Sequence, residues 1–445
     1  MKEPYKLTAT EAGKLMKDGS LTVEAYAKSL LLRIRARNDV VKAWAYLDPE
    51  FVLEQARRLD RVPEGERGLL HGVAVGVKDV ILTKDMPTAL NSDIYKNQPA
   101  GGIDATCITI VRASGALILG KTTTTEFAAI ADGGGPTTNP HDTTRTPGGS
   151  SSGSGAAVGD FQVPLALGTQ TGGSTLRPGS FNSIYAFKPT WGAISREGLA
   201  QFSITCDTLG LYARSVADLQ LLAKVFQLAD DEAVLATDFG LEGARVAFCR
   251  TPVWPRAGAG TRDAWERAWA LLRVKGVVVE ELMLPEEFGE ITKTWHRDVL
   301  AGEGRTSFLG HYLIGKDKMH AKIKCHVENM SPKLSRKAQL EAYDGCAKLR
   351  PVWDEIASKY DIVITPSVID EAPVGIGNTG DASFNSMWTI LQVPAVNVPG
   401  FAGENGMPIG LTLVGPRYHD ERVLYVAKAI GEVFETEGGF KSKLF

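Results

Sequence analysis

Apolar positions along the chain change period several times, and the changes mark its elements. The first seventy residues carry a helical period. Thr8 stands three residues before Glu11, the spacing of a capping box, and a second helix starts at Thr22 with Leu, Tyr and Ile on one face. The β-branched run HGVAVGVKDVIL (71–82) breaks that period and predicts a strand. From there to about residue 215, short apolar runs alternate with turns rich in Gly, Ser and Thr, as in an α/β core. Residues 240–355 are more charged and predict a mainly helical insertion. Strand-like runs return at 361–367, 393–400 and 409–415, and a helical pattern follows at 420–435. The core is therefore expected in two stretches of chain, with no internal repeat, long linker or low-complexity tract.

Composition narrows the classes of function more than it names one. At 445 residues the chain can bury a large core, with 44% apolar and 23% charged residues. A formal net charge of −3 gives no electrostatic case for nucleic acid or an anionic membrane. No apolar run reaches the 18 or so residues of a membrane span, and MKEPYKLTATEAGKL lacks the apolar region of a secretory signal. Five scattered Cys suit free thiols in a reducing cytoplasm. Seven His without a ligand-spaced cluster predict no metal site.

Two familiar motifs match in letters and fail in context. GALILGKT (115–122) fits the phosphate-binding pattern G-x-x-x-x-G-K-[ST], which requires a strand before the loop. Here Thr106–Ser114 reads as a helix closed by Gly115, and Ala116-Leu-Ile-Leu-Gly120 reads as a buried strand. Gly149-Ser-Ser-Ser-Gly153 fits G-x-S-x-G, the nucleophile elbow, which also must follow a strand. The preceding NPHDTTRTP has two prolines and no apolar run.

The informative window is 145–180, where two Gly/Ser clusters flank the strand-like QVPLALGT. Taken alone, such a cluster is most simply a flexible linker. Two of them packed around one apolar strand instead indicate backbones that something approaches closely. Thr169-Gln-Thr-Gly-Gly-Ser puts Ser174 at a strand end, behind two glycines whose N–H groups are unhindered by a Cβ. That arrangement suits a serine nucleophile beside a backbone oxyanion hole. The serine needs a base, and no His is evident. Lys78 ends the strand-like VAVGVK, where alternation sends it and Asp79 to opposite faces. Most lysines are solvated surface charges. One that is buried is deprotonated more readily and can act as a base near neutral pH.

These segments resemble the amidase signature hydrolases. The resemblance runs through LHGVAVGVKDV (70–80), ALILGKTTTTEFA (116–128), TTNPHDTTRTPGGSSSGSGAAV (137–158) and PLALGTQTGGSTLRP (164–178). It continues through FKPTWGAISREGL (187–199), DTLGLYARSVADL (207–219) and residues 393–420. It implies a single α/β/α domain around a large, mixed, twisted sheet. It also implies a Ser–cis-Ser–Lys unit with Ser174 as nucleophile, Ser150 as bridging serine after a cis peptide bond, and Lys78 as base. The N–H groups of Thr171, Gly172, Gly173 and Ser174 would form the oxyanion hole, and Ser151 would support the unit by hydrogen bonding. The family usually carries Asp where this chain has Gln170. It usually places Arg two residues after the nucleophile, where this chain has Leu176 and then Arg177.

The activity implied is hydrolysis of the C–N bond of a small amide, anilide or carbamate through an acyl-enzyme, without metal or other cofactor. The expected partner is that small molecule alone, with the enzyme a monomer or homodimer. A component of an amidotransferase that releases ammonia from glutamine for tRNA-bound aminoacylation is the rival within the family. A catalytically silent binding protein of the same fold is the rival from another class. Pocket walls are expected from 128–136 and from 285–345, whose Trp, Phe and Tyr would suit an aryl or apolar group.

Overall fold

The computed structural model describes residues 2–132, 135–231 and 239–444. Eleven strands form one sheet. In chain order they are β1 (Trp44–Tyr46), β2 (Ala74–Lys78), β3 (Leu117–Thr122), β4 (Leu165–Gln170), β5 (Tyr185–Lys188) and β6 (Thr208–Ala213). They continue with β7 (Arg245–Cys249), β8 (Val278–Leu282), β9 (Ile362–Pro366), β10 (Ala395–Ala402) and β11 (Pro408–Val414). Across the sheet the order is β1-β3-β2-β4-β6-β5-β10-β11-β9-β7-β8. The sheet is mixed: β3, β2 and β4 run parallel to one another, as do β9, β7 and β8, while the strands between them pair antiparallel. Helices flank it, so the α/β architecture implied by the resemblance is the one observed.

Local signals decide most elements. Thr8 and Glu11 close the capping box of helix Ala9–Lys17, and Thr22 caps helix Val23–Val41 through the Ala25 N–H. Helix Thr106–Ala113 ends before Gly115, whose φ of +85° is the left-handed conformation a closing glycine permits. β3 follows it directly. Lys121 in that strand is fully buried and donates to Thr88 Oγ1 and the Pro87 carbonyl, with Asp79 3.4 Å away. Its ammonium is committed to the protein, which disposes of the phosphate loop.

Two features differ from the sequence reading. The first seventy residues are helical except for β1, three residues pinned against β3 at the sheet edge. Such a strand is too short to leave a period. The segment 240–355 contributes β7 and β8 to the sheet, on either side of helix Ala259–Val274, and is helical after β8. β8 (VVEEL) lies at the other edge, where Glu280 and Glu281 keep an outer strand from pairing with a second molecule. Their charge obscures the strand signal.

The centre of the sheet sets the site. β2 and β4 are parallel neighbours, so their C-terminal ends, at Lys78 and at Thr169-Gln170, emerge on one edge. β6 runs the opposite way and pairs Thr208 with Gln170, so Asp207 is delivered to that same edge. Every residue of β4 and of helix Ser152–Gly159 is buried. Gly168 makes this packing feasible, because a Cβ there would fall 2.6 Å from the Tyr212 ring and 2.8 Å from Ser151 Oγ.

Candidate active site

Lys78 has no exposed surface, and its Nζ makes hydrogen bonds of 2.8 Å to Ser150 Oγ and 2.7 Å to Thr169 Oγ1. Burial drives its pKa well below the ordinary lysine value, and the carboxylate of Asp207 opposes that shift. Ionised, the ammonium donates to both hydroxyls. Neutral, it keeps a lone pair into which Ser150 can donate. The Gly149–Ser150 peptide bond is cis. Arg177 Nη2 donates to the Gly149 carbonyl and, at 3.3 Å, contacts Thr379 Oγ1. The two departures around residue 175 thus have distinct places: Leu176 enters the apolar core with Trp353 and Trp388, while Arg177 reaches back to Gly149.

Ser151 Oγ donates to the Thr169 carbonyl at 3.1 Å and accepts from the Thr169 N–H at 3.2 Å. It fastens the start of helix Ser152–Gly159 to the end of β4, and so sets Ser150 against Lys78. Thr169 is therefore held on both sides, by Ser151 at its backbone and by Lys78 at its hydroxyl. Sequence reasoning did not single it out; its place one alternation before Thr171 in a buried strand was the available signal.

Gly172, Gly173 and Ser174 follow β4 as a turn. Among the described residues their N–H groups have no protein acceptor, although Gly173 and Ser174 are buried. Buried N–H groups without a partner are rare. The carbonyls of the same turn are all engaged: Thr171 O by His296 Nε2 (3.2 Å), Gly172 O by Thr389 Oγ1 (2.6 Å), Gly173 O by the Arg177 N–H (3.0 Å), and Ser174 O by the Tyr212 hydroxyl (3.0 Å). Thr171 Oγ1 donates to Asp207 at 2.6 Å. Asp207 also accepts from the N–H groups of Phe202 and Ser203, and burial pushes its carboxyl up. Burial lowers the His296 pKa and so favours the neutral ring, and because a carbonyl only accepts, its Nε2 carries the proton that Thr171 O receives.

Ser150, Ser174 and the 171–174 turn line one cleft of about 490 Å³. Among the described residues Ser174 Oγ makes no hydrogen bond, so the chain from Lys78 ends at Ser150 in this structure. Residues 128–132 supply one wall; 133 and 134 lie outside the described residues. From the region 285–345 the cleft receives His296, Leu300 and Lys322 but no aromatic carbocycle. Its aromatic ring is Phe202, backed by Phe308 and His326 at 5.1 Å each. No group of three or more His, Cys, Asp or Glu suited to a metal ion occurs among the described residues. None of the described helices is long and apolar enough to cross a membrane.

The amidase family model matches residues 25–424. The chain belongs to the amidase family. Among curated proteins it is 31% identical to one component of the glutamyl-tRNA(Gln) amidotransferase of Symbiobacterium thermophilum, over 96% of each chain. Among solved structures it is similar to an amidase, with a TM-score of 0.85 and 27% identity over 96% of this chain and all of the other. It is equally similar to a chain of a vestigial protein complex bearing on the origins of an s-triazine catabolic enzyme. That match has a TM-score of 0.86 and 26% identity, over 98% of this chain and 100% of that one. The cleft lies at the C-terminal ends of the two parallel strands β2 and β4.

Proposed function

We propose that this amidase-family enzyme hydrolyses a small carboxamide, anilide or carbamate through a Ser174 acyl-enzyme. The supporting observation is the fully buried Lys78 Nζ at 2.8 Å from Ser150 Oγ, in the wall of the cleft that Ser174 lines. Neutral Lys78 takes the proton of Ser150, and Ser150 that of Ser174, as Ser174 attacks the carbonyl. The gap between the two serines closes on substrate binding, as catalytic hydrogen bonds commonly tighten only then. The N–H groups of residues 171–174 receive the oxyanion. The relay then returns its proton to the departing amine, and water repeats the attack on the acyl-enzyme.

The rival substrate is glutamine, which the similarity to amidotransferase components brings forward. The cleft favours a less charged one. Asp132 is paired with Lys322 and Asp381 with Arg256, and the remaining lining cation, Arg177, is turned to the Gly149 carbonyl and Thr379. Ala128, Ala129, Ile130, Phe202 and Leu300 give the remaining wall an apolar surface. A small aryl or alkyl amide fits this wall, and the enzyme then needs no protein partner.

The test is a hydrolysis panel of carboxamides, anilides, carbamates, esters and glutamine, with mass detection of a fluorophosphonate adduct. The expected adduct is on Ser174, with an anilide or carbamate as the best substrate. An adduct on Ser150 with Ser174 unmodified would overturn the nucleophile assignment. Glutamine as the preferred substrate would overturn the substrate class.

A further inference from the structure

Gln170 stands where the family usually has Asp, and its amide has a definite orientation. Its Oε1 accepts the N–H groups of Thr175 (2.8 Å) and Leu176 (3.0 Å), so that atom is oxygen. Its Nε2 is then the donor to Thr389 Oγ1, at 2.9 Å. Both side chains are fully buried. Thr389, on helix Ser383–Ile390, has one hydroxyl proton and two carbonyls in reach: Gly172 O at 2.6 Å and Asn385 O at 3.1 Å. With its oxygen already accepting from Gln170, the proton goes to the nearer carbonyl, Gly172.

A trans peptide is planar, and its C=O and N–H point opposite ways. A donor that grips the Gly172 carbonyl therefore aims the Gly173 N–H in the other direction. That N–H has no protein acceptor among the described residues, and Gly173 lines the cleft beside Ser174. Two glycines in succession would otherwise leave this peptide free to rotate.

We infer that Gln170 and Thr389 form a positioning relay that aims the Gly173 N–H at the oxyanion. This rests on the reading of Ser174 as nucleophile. An acidic side chain at 170 accepts but does not donate, so it draws the Thr389 proton toward itself and away from Gly172. The amide in this chain does the reverse. The relay touches no substrate and acts only through the peptide it orients, so its loss weakens the transition state rather than substrate binding.

The test uses Thr389→Val, Thr389→Ser and Gln170→Glu in the full-length enzyme, each titrated for active sites with a fluorophosphonate. Removing an oxyanion donor outright costs about 10²–10³ in rate. Misaiming one is expected to lower kcat about tenfold in Thr389→Val and Gln170→Glu, with KM within about twofold of wild type. Thr389→Ser, which keeps the hydroxyl, should restore the rate. A trifluoromethyl ketone, whose oxyanion occupies the hole, should lose affinity by the same factor as kcat/KM. Wild-type kcat per titrated site in Thr389→Val, or an unchanged ketone affinity, would overturn the relay. If Thr389→Val does not fold, Gln170→Glu carries the same comparison. Failure of wild-type enzyme to label at Ser174 would instead overturn the underlying reading, so the two failures are distinguishable.

Discussion

Asp207 raises the proton affinity of Lys78, and burial of Lys78 lowers it further than Asp207 can restore. The two residues approach the same sheet edge from strands on either side of β4: Lys78 ends β2, and Asp207 precedes β6. Burial thus favours the neutral lysine, while a carboxylate limits the shift.

That balance predicts a pH profile. Turnover of an amide should rise with pH through one ionisation and level off once Lys78 is deprotonated. Lys78→Ala should remove most activity, and more for amides than for activated esters, because an amine departs poorly without a proton. Lys78→Arg should be about as inactive, since arginine does not deprotonate in this range. The measurement is kcat/KM against pH for an anilide and for the matching phenyl ester. Wild-type turnover in Lys78→Arg would show that only the charge matters.

Asp207→Asn tests the other half. Removing the anion disfavours the charged form of Lys78, so the ionisation seen in the profile should move to lower pH. The variant should also lose stability, about 1.5–3 kcal/mol for a hydrogen bond to a charged group, because Thr171 and two backbone N–H groups lose their carboxylate. Denaturant titration and the pH–rate profile together check both. A profile that stays in place would mean that Asp207 is not ionised in the working enzyme.

His296 predicts a pH dependence of stability. Its folded pKa lies below the unfolded value, so between the two the unfolded chain binds more protons and stability rises with pH. The contribution is complete above about pH 6.5 and is lost as pH falls toward the folded pKa. Burial lowers the pKa of His71, His141, His311 and His326 as well, so the wild-type slope alone does not isolate one ring. His296→Gln does. The difference in Tm between wild type and this variant should shrink from about pH 7.5 to about pH 5.5, on either side of the unperturbed histidine value, and a constant difference would contradict it.

Activity should survive exhaustive EDTA or phenanthroline. No group of three or more His, Cys, Asp or Glu suited to a metal ion occurs among the described residues, and the cleft's His296, Asp132 and Asp381 are engaged with Thr171, Lys322 and Arg256 respectively. Loss of turnover that zinc restores would reveal a site elsewhere.

Lys78, Ser150, Ser151 and Ser174 were legible because each lies in a short stretch whose local constraint shows in the letters. Glycines crowd where backbones meet, and an apolar run leads into the lysine. His296 and Thr389 were not. They are 125 and 217 residues from the carbonyls they hold, on helices with no pattern that marks these positions. Asp207 lies in a segment that carries the family resemblance, yet its meeting with Thr171 depends on the antiparallel register of β4 and β6. The aromatic wall was expected from 285–345 and comes largely from Phe202 instead. Trp295, Phe308, Tyr312 and Tyr343 of that region are absent from the cleft lining, and Phe308 acts one layer behind.

The edge where β2 and β4 end in parallel holds its reacting groups on buried backbone, whereas His296, Leu300 and Lys322 come from one excursion between β8 and β9. Tool and part of the mould are thus separate lengths of chain, the rest of the wall coming from 128–132 and Phe202. An excursion exchanged for another would redraw that part of the mould around an unchanged tool. The exception is His296, the one residue of the excursion that also grips the turn, so any replacement must bring its own donor for Thr171.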